Sequence, residues 1–287
     1  MKIFEQAVIP LSQKMKSFIK KLIKLSVTRL PKDVEKKICE AYKNETSVIG
    51  KRVIKQLIGN IKIAENNNKP ICQDTGIPLF FVEGKMPKGF QKTASHAVKE
   101  CTDEGFLRPN IVDPITRKNI GNAGMGFPYI YYFPKEVDYS LVIFCPKGGG
   151  SENMSKLAML KPSQGIKGIK NFVIKSVAEA GANPCPPLII GVGIGGSADL
   201  AMKLAKKAIL RNLDKKNSDL EIELKNKINR LGIGPMGLGG KTTALAVNIE
   251  QMGCNTNGLP VGVNIQCWCA RKAVGKIEGN KFSIISH

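Results

Sequence analysis

The distribution of glycine constrains the fold of this chain more than any other feature of its sequence. Most of the 29 glycines lie in short loops between segments whose apolar spacing predicts strands or helices. We expect strands at 77–82, 139–144 and 188–192, and helices at 91–104, 166–180, 197–211 and 219–231. Short strands and helices joined by tight glycine turns are typical of a mixed α/β fold, in which helices flank small sheets.

The amino-terminal part of the chain predicts helices alone. Residues 13–25 place apolar side chains at helical spacing with lysines opposite, Pro31 begins a helix that ends near Tyr42, and a third helix is expected at 47–65. Three interpretations of the first helix remain open: a helix packed in a core, a mitochondrial presequence and a helix on a lipid surface. We expect residues 1–68 to be the helical start of one domain that spans residues 1–287.

Composition and hydropathy exclude several classes of protein. Hydrophobic residues make up 43% of the chain and charged residues 23%, so wholesale disorder is excluded. No apolar run reaches the ~20 residues that a membrane span needs, and residues 1–30 show no secretory signal. We therefore expect a cytoplasmic protein with no membrane partner, and the alternative location is a mitochondrion or a related organelle.

The net charge of +21 comes from 44 Lys and Arg against 23 Asp and Glu. Such an excess is compatible with nucleic-acid binding. However, the lysines are dispersed through helical segments, and a chain with one Trp offers few platforms on which bases can stack. We expect no nucleic-acid partner and an anionic small substrate. A non-catalytic basic binding module remains an alternative.

The eight cysteines, in a chain without an export signal, indicate reduced thiols, metal binding or catalysis rather than disulfides. No two of them form the C-x-x-C pair of a zinc ribbon. A metal site would therefore take its ligands from loops that are distant in the sequence. The two histidines, His96 and His287, leave little scope for histidine catalysis.

Three glycine-rich segments are similar to anion-binding loops to different degrees. Residues 191–196 match G-x-G-x-x-G, yet no strand with an acidic residue follows them, and a nicotinamide-binding oxidoreductase stays an alternative. Residues 240–242 match the end of a P-loop, but Pro235 stands where the first glycine is required. At 147–153, glycine amides and Lys147 form either an anion nest or a tight strand-to-helix turn.

Six segments together are more specific than any one of these motifs. In their order along the chain they are 72–76 (CQDTG), 147–153 (KGGGSEN), 183–187 (NPCPP), 191–196 (GVGIGG), 232–242 (GIGPMGLGGKT) and 259–267 (LPVGVNIQC). In this order they resemble the α subunit of the oxygen-sensitive class I fumarate hydratases and the related L-tartrate dehydratases. The resemblance covers nearly the whole chain, from about Leu30 onward.

The resemblance implies a [4Fe–4S] cluster held by three thiolates, those of Cys72, Cys185 and Cys267. Such a cluster normally has four cysteine ligands. Three ligands leave one iron open as a Lewis acid for a substrate hydroxyl and carboxylate. Cys39, Cys101 and Cys145 are expected to be packed as small apolar residues.

The resemblance also implies the roles of the substrate-contacting residues. Asp74 is expected to be the general acid that protonates the departing hydroxyl group. Gln73, Arg108 and Gly149 are expected to bind the substrate, since the planar guanidinium group suits a carboxylate. The implied activity is a hydro-lyase that hydrates and dehydrates a C4 dicarboxylate, with fumarate and L-malate first and L(+)-tartrate as the alternative.

Several residues depart from the family pattern. The usual Asn-Thr-Gly-Asp segment is replaced by Asn-Ile-Gly-Asn at 119–122, residues 254–258 lack the common histidine, and Cys269 is an additional thiol. The sequence ends at His287 with no counterpart of the swivelling carboxy-terminal domain. The resemblance therefore implies a separate β subunit that carries this domain, in an α2β2 assembly.

Overall fold

The computed structural model of this chain describes residues 10–286. Within that range the helices are α1 Leu11–Thr28, α2 Lys32–Asn44, α3 Val48–Asn66, α4 Phe90–Asp103, α5 Gly149–Glu152, α6 Gly165–Ala180, α7 Ala198–Ala208 and α8 Asp219–Asn229. The strands are β1 Ile77–Gly84, β2 Ile111–Val112, β3 Asn119–Gly121, β4 Tyr129–Phe133, β5 Tyr139–Lys147, β6 Lys156–Leu160, β7 Leu188–Gly196, β8 Ala244–Cys254, β9 Leu259–Gln266, β10 Ala273–Glu278 and β11 Lys281–Ser286. The expected mixed α/β fold with a helical start is confirmed.

These elements form two compact units. The described chain begins in unit 1 and crosses between the units four times, after Arg29, Ile71, Pro146 and Ala270. Unit 1 comprises the described residues up to Arg29, Cys72–Pro146 and the described residues from Arg271. Unit 2 comprises Leu30–Ile71 and Lys147–Ala270. That the two units make a single domain stays a prediction.

Unit 1 is built on a five-stranded sheet with the order β11-β10-β5-β1-β4. Strands β1 and β4 are parallel, whereas β10 runs antiparallel to both β5 and β11. The apolar face of α1 packs into the core of this unit through side chains such as Phe18, Leu22 and Ile23. The structure therefore shows α1 as a helix packed in a core.

Unit 2 is built on a four-stranded sheet with the order β6-β9-β7-β8. Strand β7 is parallel to β8 and antiparallel to β9. Ile190 and Val192 of β7 share a core with residues of α6 and α8. Because successive side chains of a strand point to opposite faces, the intervening residues Gly191 and Gly193 face the other side of the sheet, where α7 lies.

The glycines at 191–196 lie in strand β7 and do not form a dinucleotide-binding loop. A Cβ atom at Gly191 would lie 2.1 Å from the carbonyl oxygen of Ala205, and one at Gly193 would lie 2.0 Å from that of Ala201. Glycine is therefore required because the backbone of α7 lies directly on the strand. Helix α7 thus packs directly on Gly191 and Gly193. Residues 191–196 form a strand and not a loop that could bind a pyrophosphate group.

The loop that resembles the end of a P-loop is filled by a side chain of unit 2 itself. The Glu45 carboxylate accepts hydrogen bonds from the backbone N–H groups of Thr46 and Ser47 at 2.9 and 3.0 Å, and from Lys241 and Thr242 at 2.9–3.0 Å. Burial alone would raise the pKa of Glu45, but these N–H donors outweigh it and hold the pKa below its usual range. The Glu45 carboxylate therefore satisfies the backbone N–H groups of this loop.

Among residues 10–286, no helix combines the length and the apolarity needed to cross a membrane.

Candidate active site

Residues 72–76 form a turn immediately before β1 in unit 1. Asp74 Oδ1 accepts a hydrogen bond from the Gly76 backbone N–H at 2.9 Å, which is the contact of an Asx turn. Gly76 has a φ of 78°, a conformation that glycine adopts without strain. Cys72 and Asp74 are both half-buried, and Cys72 Sγ lies 3.5 Å from Gln73 Oε1. The turn therefore holds a carboxyl group two residues from a thiol.

Arg108 is held against this turn. Its backbone N–H donates to Thr75 Oγ1 at 2.8 Å, and its guanidinium group donates to the Gln73 carbonyl oxygen at 3.2 Å. The Arg108 side chain is otherwise exposed. The structure thus brings together three of the residues expected at the site: Gln73, Asp74 and Arg108.

Other side chains of unit 1 support the same turn and were not identified from the sequence. Arg271, which is 1% exposed, donates from Nη2 to the Asp74 carbonyl oxygen at 2.8 Å. Asn110 Nδ2 lies 3.4 Å from both Asp74 Oδ1 and Thr75 Oγ1. No periodic pattern identifies such residues. The one available signal was the position of Arg271, two residues after the additional thiol Cys269.

Unit 2 contains the other two cysteines expected to be ligands. Cys185 is exposed and has a φ of 56°, a left-handed conformation that is uncommon outside glycine and is often found at functional sites. Its carbonyl oxygen accepts a hydrogen bond at 3.2 Å from the backbone N–H of Trp268, the residue after Cys267. The structure therefore places the segments that carry Cys185 and Cys267 next to each other.

Two glycine-rich loops of unit 2, at 147–153 and 232–242, contact the segment 183–187 that carries Cys185. The Pro186 carbonyl oxygen accepts from the Met236 backbone N–H at 2.9 Å. A Cβ atom at Gly150 would lie 3.3 Å from the Asn183 carbonyl oxygen. Four of the six family-like segments, those at 147–153, 183–187, 232–242 and 259–267, are thus neighbours within this unit.

Lys147 and the glycines that follow it form the tight strand-to-helix turn, with β5 ending at Lys147 and α5 beginning at Gly149. The Lys147 ammonium group is fully buried and donates to Ser151 Oγ and the Ile265 carbonyl oxygen, each at 2.7 Å. Of the two alternatives that the sequence left open, the structure shows the tight turn, and the Lys147 Nζ atom is bonded inside unit 2 rather than added to an open anion nest.

Glu152 balances the charge of this buried lysine. Its carboxylate lies 3.5 Å from Lys147 Nζ, forms an ion pair with Lys206 and accepts from Asn264 Nδ2 at 3.1 Å. Burial alone would raise the pKa of Glu152, but the two ammonium groups outweigh it and hold the pKa below its usual range. This ionic cluster ties the turn that carries Gly149 to strand β9, which leads to Cys267.

None of the eight cysteines, all of which lie within the described residues, forms a disulfide bond. Burial raises the pKa of the Cys101 thiol to about 12, and Cys145 is also buried, so both are packed as small apolar residues. Within residues 10–286, no group of three or more His, Cys, Asp or Glu side chains is arranged to hold a metal ion. The three-cysteine ligand set therefore stays a prediction.

A cavity of about 730 Å³ lies in unit 1, away from the residues just described. It is lined by the start of α1, the loop before α4 and strand β10, and it includes His96. None of the expected site residues lines this cavity. It is therefore distinct from the candidate active site.

Comparisons with known proteins give a consistent result. The family model for fumarate hydratase (Fumerase) matches residues 16–276. A protein of Methanocaldococcus jannaschii, provisionally named L(+)-tartrate dehydratase subunit alpha, is 48% identical over 92% of this chain and 98% of its own length. The L(+)-tartrate dehydratase subunits alpha of Escherichia coli K12 and Shigella sonnei are 34% identical over 91% of this chain and 90% of theirs.

Proposed function

This chain belongs to the fumarate hydratase (Fumerase) family, and from that premise we propose that it is the α subunit of a hydro-lyase that removes water from, or adds water to, a C4 dicarboxylate. The iron–sulfur class and the need for a β subunit follow from the family and from the subunit names of the relatives. The observation that carries the proposal is the turn at 72–76, which places the Asp74 carboxyl group and the Arg108 guanidinium group in one hydrogen-bonded arrangement.

L(+)-tartrate is the substrate that we favour, because the relatives that match over 90% or more of their own length are named as subunits of L(+)-tartrate dehydratase. Fumarate and L-malate, which the sequence placed first, are the second candidate and are favoured by the family model. All three compounds are four-carbon dicarboxylates, so one arginine-based carboxylate site serves any of them.

We assign Cys72, Cys185 and Cys267 as ligands of a [4Fe–4S] cluster. Their chemistry fits this role, because none of the three cysteines forms a disulfide bond and none is fully buried. When bound, a cluster with three cysteine ligands supplies one open iron that acts as a Lewis acid on the substrate hydroxyl group. Cys101 and Cys145, which are fully buried, are less suited to this role.

The protein groups of the α subunit bind the substrate and move one proton. The exposed guanidinium group of Arg108 binds a substrate carboxylate through paired N–H donors, and the Gln73 amide and the Gly149 backbone orient the substrate. In dehydration, the C–O bond breaks and Asp74 donates its proton to the departing hydroxyl group, which leaves as water. The proton on the adjacent carbon is removed by a base that we place in the β subunit.

The test is anaerobic co-expression of the α chain with its β subunit, followed by assays on L-tartrate, fumarate and L-malate. Dehydration of tartrate gives an enol that becomes a 2-oxo diacid, which a hydrazine reagent detects. We expect turnover of at least one substrate and a broad brown absorbance band. Iron-free protein that turns over none of the three would refute the proposal.

The ligand assignment is tested separately by iron content. Cys185→Ser should abolish stable binding of the cluster, since a hydroxyl group is a poorer iron ligand than a thiolate. Cys101→Ser is the matched control and should retain the iron of the unmodified protein. Full iron retention by the Cys185→Ser variant would show that Cys185 is not a ligand of the cluster.

We further propose that the β subunit carries the swivelling domain and that the assembly is α2β2 and cytoplasmic. The mass of the purified complex in solution measures the stoichiometry. An αβ or α4β4 mass would contradict the proposed assembly without affecting the proposed activity.

A further inference from the structure

We propose that Asn122 is a positioning residue that holds Arg108 in place for the substrate carboxylate. This inference rests on the proposed role of Arg108 in binding substrate. Asn122 lies directly after β3 in unit 1 and is 3% exposed. Because its side chain is buried, its amide group requires hydrogen-bond partners within the protein.

The hydrogen bonds of Asn122 use both halves of its amide group. Nδ2 donates to the Arg108 carbonyl oxygen at 2.6 Å and to Thr102 Oγ1 at 3.0 Å. Oδ1 accepts from the Asn110 backbone N–H at 3.0 Å. A carbonyl oxygen can only accept and a backbone N–H can only donate, so the orientation of this amide is determined by its partners.

The third contact is determined in the same way. The Thr102 hydroxyl group donates its proton to the Val98 carbonyl oxygen at 2.8 Å, so its oxygen acts as the acceptor toward Asn122. The side chain at position 122 must therefore supply two donors and one acceptor. A deprotonated carboxylate supplies only acceptors, and a protonated carboxyl group supplies one donor.

These bonds act directly on Arg108. Its backbone N–H is held by Thr75, its carbonyl oxygen by Asn122, and its guanidinium group by the Gln73 carbonyl oxygen. Because the peptide groups on both sides of the Arg108 Cα atom are fixed, the side chain leaves the backbone in one direction. Loss of the bond from Asn122 would leave one of these peptide groups free to rotate.

The test is Asn122→Asp, which keeps the size of the side chain and changes its hydrogen bonds. The partners that contact Asn122 are uncharged; the charged groups in the same network are the Arg108 guanidinium and, through Asn110, the Asp74 carboxyl group. At pH 8 the introduced carboxylate faces the Arg108 carbonyl oxygen without a proton. We expect KM for the dicarboxylate to rise about tenfold with little change in kcat, as the loss of a buried hydrogen bond implies.

The pH dependence adds a readout that a purely structural defect would not produce. Burial against a carbonyl oxygen raises the pKa of the introduced carboxyl group, so protonation below about pH 6 restores one donor to Arg108. We expect the KM of the variant to approach that of the unmodified enzyme as the pH falls. Iron content should be unchanged at each pH.

Asn212→Asp is the matched control, because Asn212 is exposed and its Oδ1 only accepts a hydrogen bond, from the Asp214 backbone N–H at 2.8 Å. This variant should leave KM unchanged. In the isolated α chain, Asn122→Asp should also lower the melting temperature at pH 8 and lose that effect at pH 5, whereas the control should show no such difference.

Arg108→Ala in the same reconstituted complex separates the two proposals. If Arg108→Ala raises KM and Asn122→Asp does not at any pH, the positioning role of Asn122 is refuted and the role of Arg108 stands. If Arg108→Ala leaves KM unchanged, the substrate role of Arg108 is refuted and the inference on Asn122 falls with it. A rise in KM in both variants, reversed by acid only for Asn122→Asp, supports both.

Discussion

Replacement of Glu45 by glutamine tests whether a buried carboxylate holds the 240–242 loop. In the folded chain, Oε1 accepts from the backbone N–H groups of Thr46, Ser47 and Lys241, and Oε2 accepts from Lys241 and Thr242. A glutamine amide can keep the three bonds to one oxygen. Its NH2 group then faces the Thr242 backbone N–H, and because both groups are donors this hydrogen bond is lost.

The expected loss of stability follows from these contacts. A buried N–H group without an acceptor costs about 1–3 kcal/mol. The three remaining bonds change from charge-assisted to neutral and become roughly half as strong. Together these effects lower the free energy of unfolding by about 3 kcal/mol, which increases the unfolded-to-folded ratio roughly a hundredfold.

Fluorescence of the single tryptophan is the assay. Trp268 is 7% exposed and belongs to unit 2, the unit that contains Glu45, so urea unfolding of this unit changes its emission. We expect Glu45→Gln to lower the urea midpoint by about 1 M. Glu40→Gln, which removes a half-exposed partner of Lys37 on α2, should change the free energy by less than about 1 kcal/mol.

The difference between the two proteins must also depend on pH. Because the folded chain lowers the pKa of Glu45, the carboxylate stabilises the fold at pH values above the unfolded pKa, about 4.3. That stabilisation is lost as the pH falls through the folded pKa. Equal urea midpoints for Glu45→Gln and the unmodified chain at pH 7 would refute the reasoning, as would a difference that grows in acid.

Three further predictions, one of them with a control variant, concern other parts of the structure. Asp74→Asn in the reconstituted complex should retain its iron and lose ~10²–10⁴-fold in kcat, since it removes one acid–base group; turnover near that of the unmodified complex would place the acid elsewhere. Gly193→Ala should lower the urea midpoint strongly, because its Cβ would lie 2.0 Å from a backbone oxygen of α7, whereas Gly59→Ala, with open space around it, should not. Lys147→Met leaves the Glu152 carboxylate without one of its two ammonium partners and should cost about 3 kcal/mol in the same titration; an unchanged midpoint would show that the cluster is not stabilising.

Segments with helical spacing or an uninterrupted apolar run were predictable from the sequence, and a strand interrupted by proline and glycine was not. The apolar spacing of α1 and the short apolar run of β1 each predicted an element close to its observed bounds. Strand β9 is buried along most of its length and contains a glycine and a proline, so it lacks the alternation that identifies a strand. The hairpin of β10 and β11 did carry a signal, Gly279 between two alternating segments, and could have been found.

The glycine motifs show why local sequence does not determine what a glycine does. Gly191 and Gly193 fit a phosphate-binding pattern, but their function depends on the backbone of α7, which no local pattern reveals. Likewise, the environment of Lys147 depends on Ile265, 118 residues away in the chain. Gln73 and Asp74 are neighbours in one short turn, whereas the position of Arg108 beside them depends on a contact over 35 residues of the chain. Their roles toward the substrate stay predictions.

The interleaving of the two units has a consequence for how the chain acquires its structure during synthesis. All residues of unit 2 have left the ribosome once Ala270 has emerged, whereas unit 1 still lacks Arg271 and the two strands that follow. In the finished sheet, β10 lies between β5 and β11, so until β10 has been synthesised β5 presents an unpaired edge. An apolar strand edge of this kind can pair with another nascent chain. The synthesis of β10 therefore removes this route to aggregation.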